Sequence, residues 1–244
     1  MFETLTALLF AHVFADFVFQ TRWMVAHKRN LFVMLFHAGI VLITAMTAVG
    51  HTEANILVAL AGAHLFIDMV KTWGMRDSAG AFLGDQIAHL VTIVVAAWIV
   101  PDLWGTGVWA MQTAVPPVLI LHMMVLTGGT ILAIRAGGAV VSKLMAPFGE
   151  GFTSGGLPNG GHMIGVLERT LIFVLVLFGQ PASIGFLIAA KSVMRFETAS
   201  KEQRAAEYVI IGTLASFAWA FVVTMGVIAL RSQLPALEIA LPSP

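Results

Sequence analysis

Residues 31–50 read LFVMLFHAGIVLITAMTAVG, an apolar run broken by one ionisable side chain, His37. A helix that crosses a membrane needs about 20 predominantly apolar residues to traverse roughly 30 Å of hydrocarbon, and this run supplies them. The pattern recurs along the 244-residue chain. Apolar runs bounded by charge, Gly or Pro predict spans at 4–20, 31–50, 55–70, 85–100, 115–134, 162–178, 182–196 and 208–230. The seventh is short enough to be re-entrant or tilted. The expected fold is therefore all-α, a polytopic membrane helix bundle of about eight transmembrane helices, between seven and nine.

Composition agrees. Hydrophobic residues make up 59% of the chain and charged ones 11%, against about 45–50% and about 25% in soluble domains; mean hydropathy is +0.91. Net charge is zero and no block of like charge occurs, which argues against nucleic-acid partners and a polybasic lipid-binding tail. With no cysteine, disulfides, Cys-based zinc sites, iron–sulfur clusters and thiol nucleophiles are excluded, and any metal must be held by nitrogen and oxygen. The opening MFETLTALLF lacks a basic n-region, and its run carries His12 and Asp16, so it reads as a retained span rather than a secretory signal.

Basic residues fall in alternate connections: Arg22, Lys28 and Arg29; Lys71 and Arg76; Arg135 and Lys143; Arg195, Lys201 and Arg204. The opposite set holds only Arg231. Retention of basic residues in the cytoplasm puts both termini outside it if eight spans are present. The Gly-rich break at 149–161, GEGFTSGGLPNGG, lacks the G-x-x-x-x-G-K-[ST] pattern of a phosphate-cradling loop and reads as a flexible connection. The chain thus divides into an N-terminal bundle at 1–134, a Gly-rich cytoplasmic connection at 135–161, and C-terminal helices at 162–244.

Ionisable residues inside spans are costly and normally face a bundle interior or a water-filled cavity. His12 and Asp16, His64 and Asp68, and Asp85 and His89 are each four residues apart, the spacing that shares a helix face. Helical bundles build metal sites from such inward-facing side chains. His37 adds another candidate. At 1.5 Å per residue from the cytoplasmic ends, Asp85 falls at the surface, Asp16, Asp68 and His89 about 4–8 Å in, and His37, His64 and His12 about 9–14 Å in. The set forms one layer. Imidazole with carboxylate suits zinc, manganese or iron(II); His12, Asp16, His64, Asp68, Asp85 and His89 are the candidate ligands, and His37 a ligand or general base. Lys71 is a candidate catalytic or anion-holding group, equally able to pair with Asp68 or to snorkel to the surface. Gln20 and Gln86 are positioned to contact a substrate.

A second polar set comprises Glu168, Arg169, Lys191, Arg195 and Glu207. Mutual pairing would neutralise it while fixing helix packing; alternatively it forms an anion pocket in which Arg offers a bidentate fork and Thr213 and Ser216 add hydroxyls.

The segments HVFADFVFQ at 12–20, His37, HLFIDMVK at 64–71 and DQIAH at 85–89 resemble the bacterial family catalogued as domain of unknown function 3307. GVLERTLIF at 165–173, GFLIAAKS at 185–192 and EYVIIGTLASF at 207–217 resemble longer members. The resemblance implies a multi-pass protein of the bacterial inner membrane and carries over a motif set without a reaction. From the residues, the leading expectation is a metal-dependent hydrolase acting from the cytoplasmic leaflet on a lipid-like or phosphorylated substrate. A divalent-metal or proton-coupled transporter is the second, since H-x-x-x-D on two helices resembles the transport site of cation-diffusion-facilitator zinc exporters. A non-catalytic membrane subunit or assembly factor is the third. No haem, flavin or nucleotide motif, serine-nucleophile motif or H-E-x-x-H pattern competes.

Overall fold

The computed structural model describes residues 1–149, 157–201 and 203–237, the side chains of 194–201 excepted. The elements are α1 (Phe2–Phe14), α2 (Arg22–Ala26), α3 (Leu31–Val49), α4 (Asn55–Gly74), α5 (Ala79–Ile99), α6 (Val108–Met111), α7 (Pro117–Ile131), α8 (Gly137–Met145), α9 (Gly160–Leu177), α10 (Ile184–Lys201) and α11 (Gln203–Arg231). Single π-helical stretches continue α1 over Ala15–Phe19 and join α7 to α8 over Leu132–Ala136. No strand occurs among the described residues.

Among the described residues, seven helices are long and apolar enough to cross a membrane: Phe2–Phe19, Leu31–Val49, Asn55–Gly74, Ala79–Ile99, Pro117–Phe148, Gly160–Leu177 and Gln203–Arg231. The expected short span corresponds to the apolar stretch Pro181–Val193, which falls below that length. Outward faces are apolar: Phe32 is 83% exposed, Trp98 72%, and Phe66 65%. Contiguous apolar surface of this kind is what lipid covers, and the chain is a multi-pass helical membrane protein.

Several boundaries differ from the sequence reading, among them the end of the third span at Gly74 and the start of the last at Gln203, and two bear on charged residues. The fourth span begins at Ala79 rather than 85 because Ser78 caps it, its Oγ accepting from the Ala81 N–H at 3.1 Å. Asp85 consequently lies inside the helix rather than at its start, and its side chain is buried within the protein. The fifth span does not stop at 134: the π stretch carries the backbone through Arg135, and helix resumes to Phe148. Lys143, in this extension, pairs with Asp77.

The chain forms two compact units. The first comprises Met1–Arg76, Gly84–Gly128 and the chain from Ala229; the second comprises Asp77–Leu83 and Gly129–Ile228. In the first, α3 packs against both α1 and α4. Small side chains allow this approach, with Ala15, Val41 and Ala61 meeting in one buried cluster. α3 starts with Asn30 Oδ1 accepting from Phe32 N–H and ends at Gly50, whose φ of 80° only glycine adopts freely. The loop after α5 docks at that end: Val108 N–H donates to Gly50 O, and Trp109 Nε1 donates to Thr47 O at 2.6 Å. Thr4, fully buried, donates to Pro101 O and accepts from Trp104 N–H. This end is thereby tied together, and the polar layer occupies other turns of the same helices. In the second unit, α9 and α11 pack through Ile172, Val176, Phe217 and Ala220, with Ile184 and Leu187 of α10 laid against them.

A Cβ on Gly107 would fall 2.2 Å from the backbone oxygen of Val49, whereas one on Gly62 would meet nothing within 4 Å. Gly107→Ala is expected to lower stability by about 1–3 kcal/mol, and Gly62→Ala to leave it unchanged or raise it by about 0.5–1 kcal/mol. Thermal unfolding of the two variants in detergent, beside the parent, checks the contrast.

Candidate metal centre

Three helices bring their polar faces together in the first unit, and α3 supplies a fourth contribution in His37. The (i, i+4) spacing holds His64 with Asp68 on α4, and Asp85 with His89 on α5. On α1 the α-helical turns end at Phe14, and the π stretch carries Asp16 on to Gln20, whose N–H donates to Ala15 O. Such π turns often mark functional sites because the extra residue re-aims side chains.

At the centre, His37 Nε2 and His64 Nε2 lie 3.2 Å apart. Asp16 Oδ1 is 3.3 Å from the first and 3.4 Å from the second. These three atoms form a nearly equilateral triangle. A tetrahedral ion with bonds of about 2.0–2.1 Å holds its ligands about 3.3–3.4 Å apart, so the triangle has the size of one face of such a site. Asp68 Oδ2 also borders the histidine pair, at 3.8 Å from His37 and 3.6 Å from His64.

The carboxylates share one design. Asp68 gives Oδ1 to Lys28 at 2.7 Å, Asp85 gives Oδ2 to Lys71 at 2.5 Å, and Asp16 gives Oδ2 to the Gln86 amide at 3.4 Å. The other oxygen of each, Asp16 Oδ1, Asp68 Oδ2 and Asp85 Oδ1, is buried and accepts no hydrogen bond. One oxygen orients each carboxylate and the other is left toward the imidazoles, which is how outer partners position metal ligands.

Gln86 sits at the junction. Its NH2 donates to Asp16 Oδ2 and, at 3.3 Å, to Asp85 Oδ2, which turns its Oε1 toward His12 Nε2 at 3.3 Å. His12 must then carry its proton on Nε2 and keep a lone pair on Nδ1, a buried atom without a hydrogen bond. The His89 ring lies tilted against that of His64 with centroids 4.0 Å apart, and neither of its ring nitrogens has a hydrogen-bond partner. Gln20, at the end of the π stretch, buries its Nε2 without one. Donor atoms of His12, Asp16 and His64, of His37, His64 and Asp68, and of Asp68, Asp85 and His89 form three groups, each with all members within 4.8 Å. These buried His and Asp groups are positioned to hold a metal ion.

Charge points the same way. Asp16, Asp68 and Asp85 carry three negative charges, and Lys28 and Lys71 two positive ones. With neutral imidazoles the five sum to −1, a charge that an apolar surround penalises until a cation balances it. The lysine side chains are 15% and 23% exposed, whereas those of their partners are 1% and 2%. The lysines therefore form the rim and the carboxylates the floor.

Lys28 is the residue the sequence reading missed, having counted it only as a basic residue between spans. Its position just before α3, combined with the depth of Asp68, was the available signal. In the second unit, Lys191 pairs with Glu168 at 2.8 Å, while Arg169 bonds Ile134 O and Ser216 Oγ. Glu207 is exposed and accepts from Gln203. The Arg195 side chain lies outside the described residues.

No curated protein and no solved structure matches the chain. Residues 4–114 match the model of the family described as Protein of unknown function (DUF3307). The match runs from α1 through α6 and ends before the segments at 165–173, 185–192 and 207–217. His12, Asp16, His37, His64, Asp68, Asp85 and His89 all lie within this stretch, so the part of the chain that is similar to the family is the part that carries the polar layer.

Proposed function

We propose that the protein is a metal-dependent hydrolase embedded in the bacterial inner membrane, with its centre reached from the cytoplasmic leaflet. The observation that carries the reading is the triangle of His37 Nε2, His64 Nε2 and Asp16 Oδ1, with sides of 3.2–3.4 Å. Two imidazoles and a carboxylate make three donors, the number and kind that catalytic zinc and iron(II) sites take from the protein. A zinc, manganese or iron(II) ion held there supplies Lewis acidity to a scissile group and acidifies water. The chain's own residues do the rest. His37 is read as a ligand rather than a base because its Nε2 faces His64 and Asp16. Asp68 and Asp85, each anchored by a lysine, keep one oxygen beside the imidazoles as further donors. Gln86 fixes the His12 tautomer, and the partly exposed Lys71 draws an anionic head group toward the rim.

A specific observation favours the second reading, a divalent-metal transporter. The void lined by His12, His64 and His89 measures about 10 Å³, room for one water or ion and not for a lipid head. The hydrolase therefore requires its scissile group to approach from the lysine rim.

Elemental analysis of purified protein is expected to find about one divalent ion per chain, and at least tenfold less in His64→Ala and Asp16→Asn; metal-free parent protein contradicts both readings and leaves the packing role. In proteoliposomes the hydrolase predicts tight retention without flux, and metal-dependent uptake would transfer the assignment to the transporter. Lys28→Met strips Asp68 of its cation and is expected to cost about 3 kcal/mol in chelator. Saturating zinc should narrow that deficit, as read by thermal unfolding with and without the ion.

A further inference from the structure

The second unit contains an open-sided cavity of about 420 Å³ that the metal-centre reading does not use. Its volume lies in the range of small-molecule sites. Arg169 and Lys191 border it with Glu168, His162, Thr213 and Ser216. Arg169 is only 3% exposed. A buried guanidinium normally has a carboxylate to neutralise it, yet its neighbour Glu168 pairs with Lys191 instead. Among the described residues, the hydrogen bonds of Arg169 go to neutral acceptors, Ile134 O at 3.2 Å and Ser216 Oγ at 3.1 Å. Those anchors fix the plane of a group that has five N–H donors.

Two glycines make room for it. A Cβ on Gly165 would lie 2.9 Å from Arg169 Nη1, and one on Gly137 would lie 2.8 Å from its Cδ and 2.6 Å from Trp219 Cδ1. The local backbone thus accommodates the guanidinium at the cavity wall. With Glu168 at −1 and Arg169 and Lys191 at +1 each, the described lining residues carry one net positive charge. Apolar side chains border the same helices outward: Leu167 on α9 and Leu214 on α11 are each 56% exposed.

We infer that this cavity binds a monoanionic phosphate-type oxyanion through the fork of Arg169, with Lys191 and the Thr213 hydroxyl beside it. The chemistry is shared by free inorganic phosphate and by the phosphodiester of an anionic lipid head. A planar fork with a fixed orientation suits such an oxyanion better than a point charge does. The inference stands on residues separate from the metal centre and survives if that centre proves metal-free.

The test uses the full chain purified in detergent, titrated separately with inorganic phosphate and with short-chain phosphatidylglycerol, following the thermal unfolding midpoint. The parent is expected to be stabilised by at least one of them. A response to both shows that free phosphate suffices, and a response to the lipid alone assigns the lipid head. Arg169→Lys should weaken apparent binding at least tenfold. Should that variant fail to fold, two others decide: Lys191→Gln takes the lining to zero charge and should weaken binding at least tenfold, whereas Glu168→Gln takes it to +2 and should tighten binding several-fold. No stabilisation of the parent by either ligand, or equal affinity in Lys191→Gln, Glu168→Gln and the parent, overturns the inference.

Discussion

Three carboxylates buried among four imidazoles set the terms for the first unit. An aspartate inside an apolar bundle is tolerated only if its charge is met, and here each is met halfway: one oxygen is held by Lys28, Lys71 or Gln86 and the other accepts no hydrogen bond. Helix positions follow from that requirement. Gln86 bonding to Asp16 and His12 holds α5 against α1, and Lys71 bonding to Asp85 holds it to α4. Between the ends the contacts are between small residues such as Ala15, Val41 and Ala61, which permit approach without specifying a partner. Register therefore rests on the polar layer and on the hydrogen bonds that Thr4, Thr47 and Gly50 make at the opposite end.

The arrangement also separates holding from reacting. Lys28 and Lys71 neutralise most of the negative charge from the rim without occupying the triangle of His37, His64 and Asp16. The residual charge of −1 makes a cation the fitting occupant, and the donor set makes a borderline metal ion more suitable than a hard one. Loss of either lysine acts on the centre through an aspartate rather than directly. The second unit inverts this pattern, since its internal pair, Glu168 with Lys191, leaves a buried cation in Arg169 and hence suits an anion.

Much of this was legible in the sequence because membrane insertion simplifies the reading. Backbone groups in lipid must be satisfied within the helix, so apolar runs mark the spans, and the (i, i+4) spacing showed that His64 and Asp68, and Asp85 and His89, share faces. A common depth pointed to one layer. The rest depended on information that periodicity does not carry. Which imidazole meets which carboxylate is decided by helix rotation, so the His37 and His64 contact with Asp16 could not be read from spacing. Lys28 looked like a topology signal because its long side chain reaches the layer from a loop. Ser78 hid the true start of α5 within a polar stretch, and the π turn at Leu132–Ala136 carried a helix past the charge at Arg135 that otherwise reads as a stop.

The most direct test of the central claim is X-ray absorption at the metal edge of the zinc-loaded protein. The account predicts a first shell of about four nitrogen and oxygen neighbours at about 2.0–2.1 Å, with outer-shell scattering from at least two imidazoles that falls when His37 or His64 is replaced. A six-oxygen shell without imidazole scattering, or a spectrum unchanged in both variants, would contradict it.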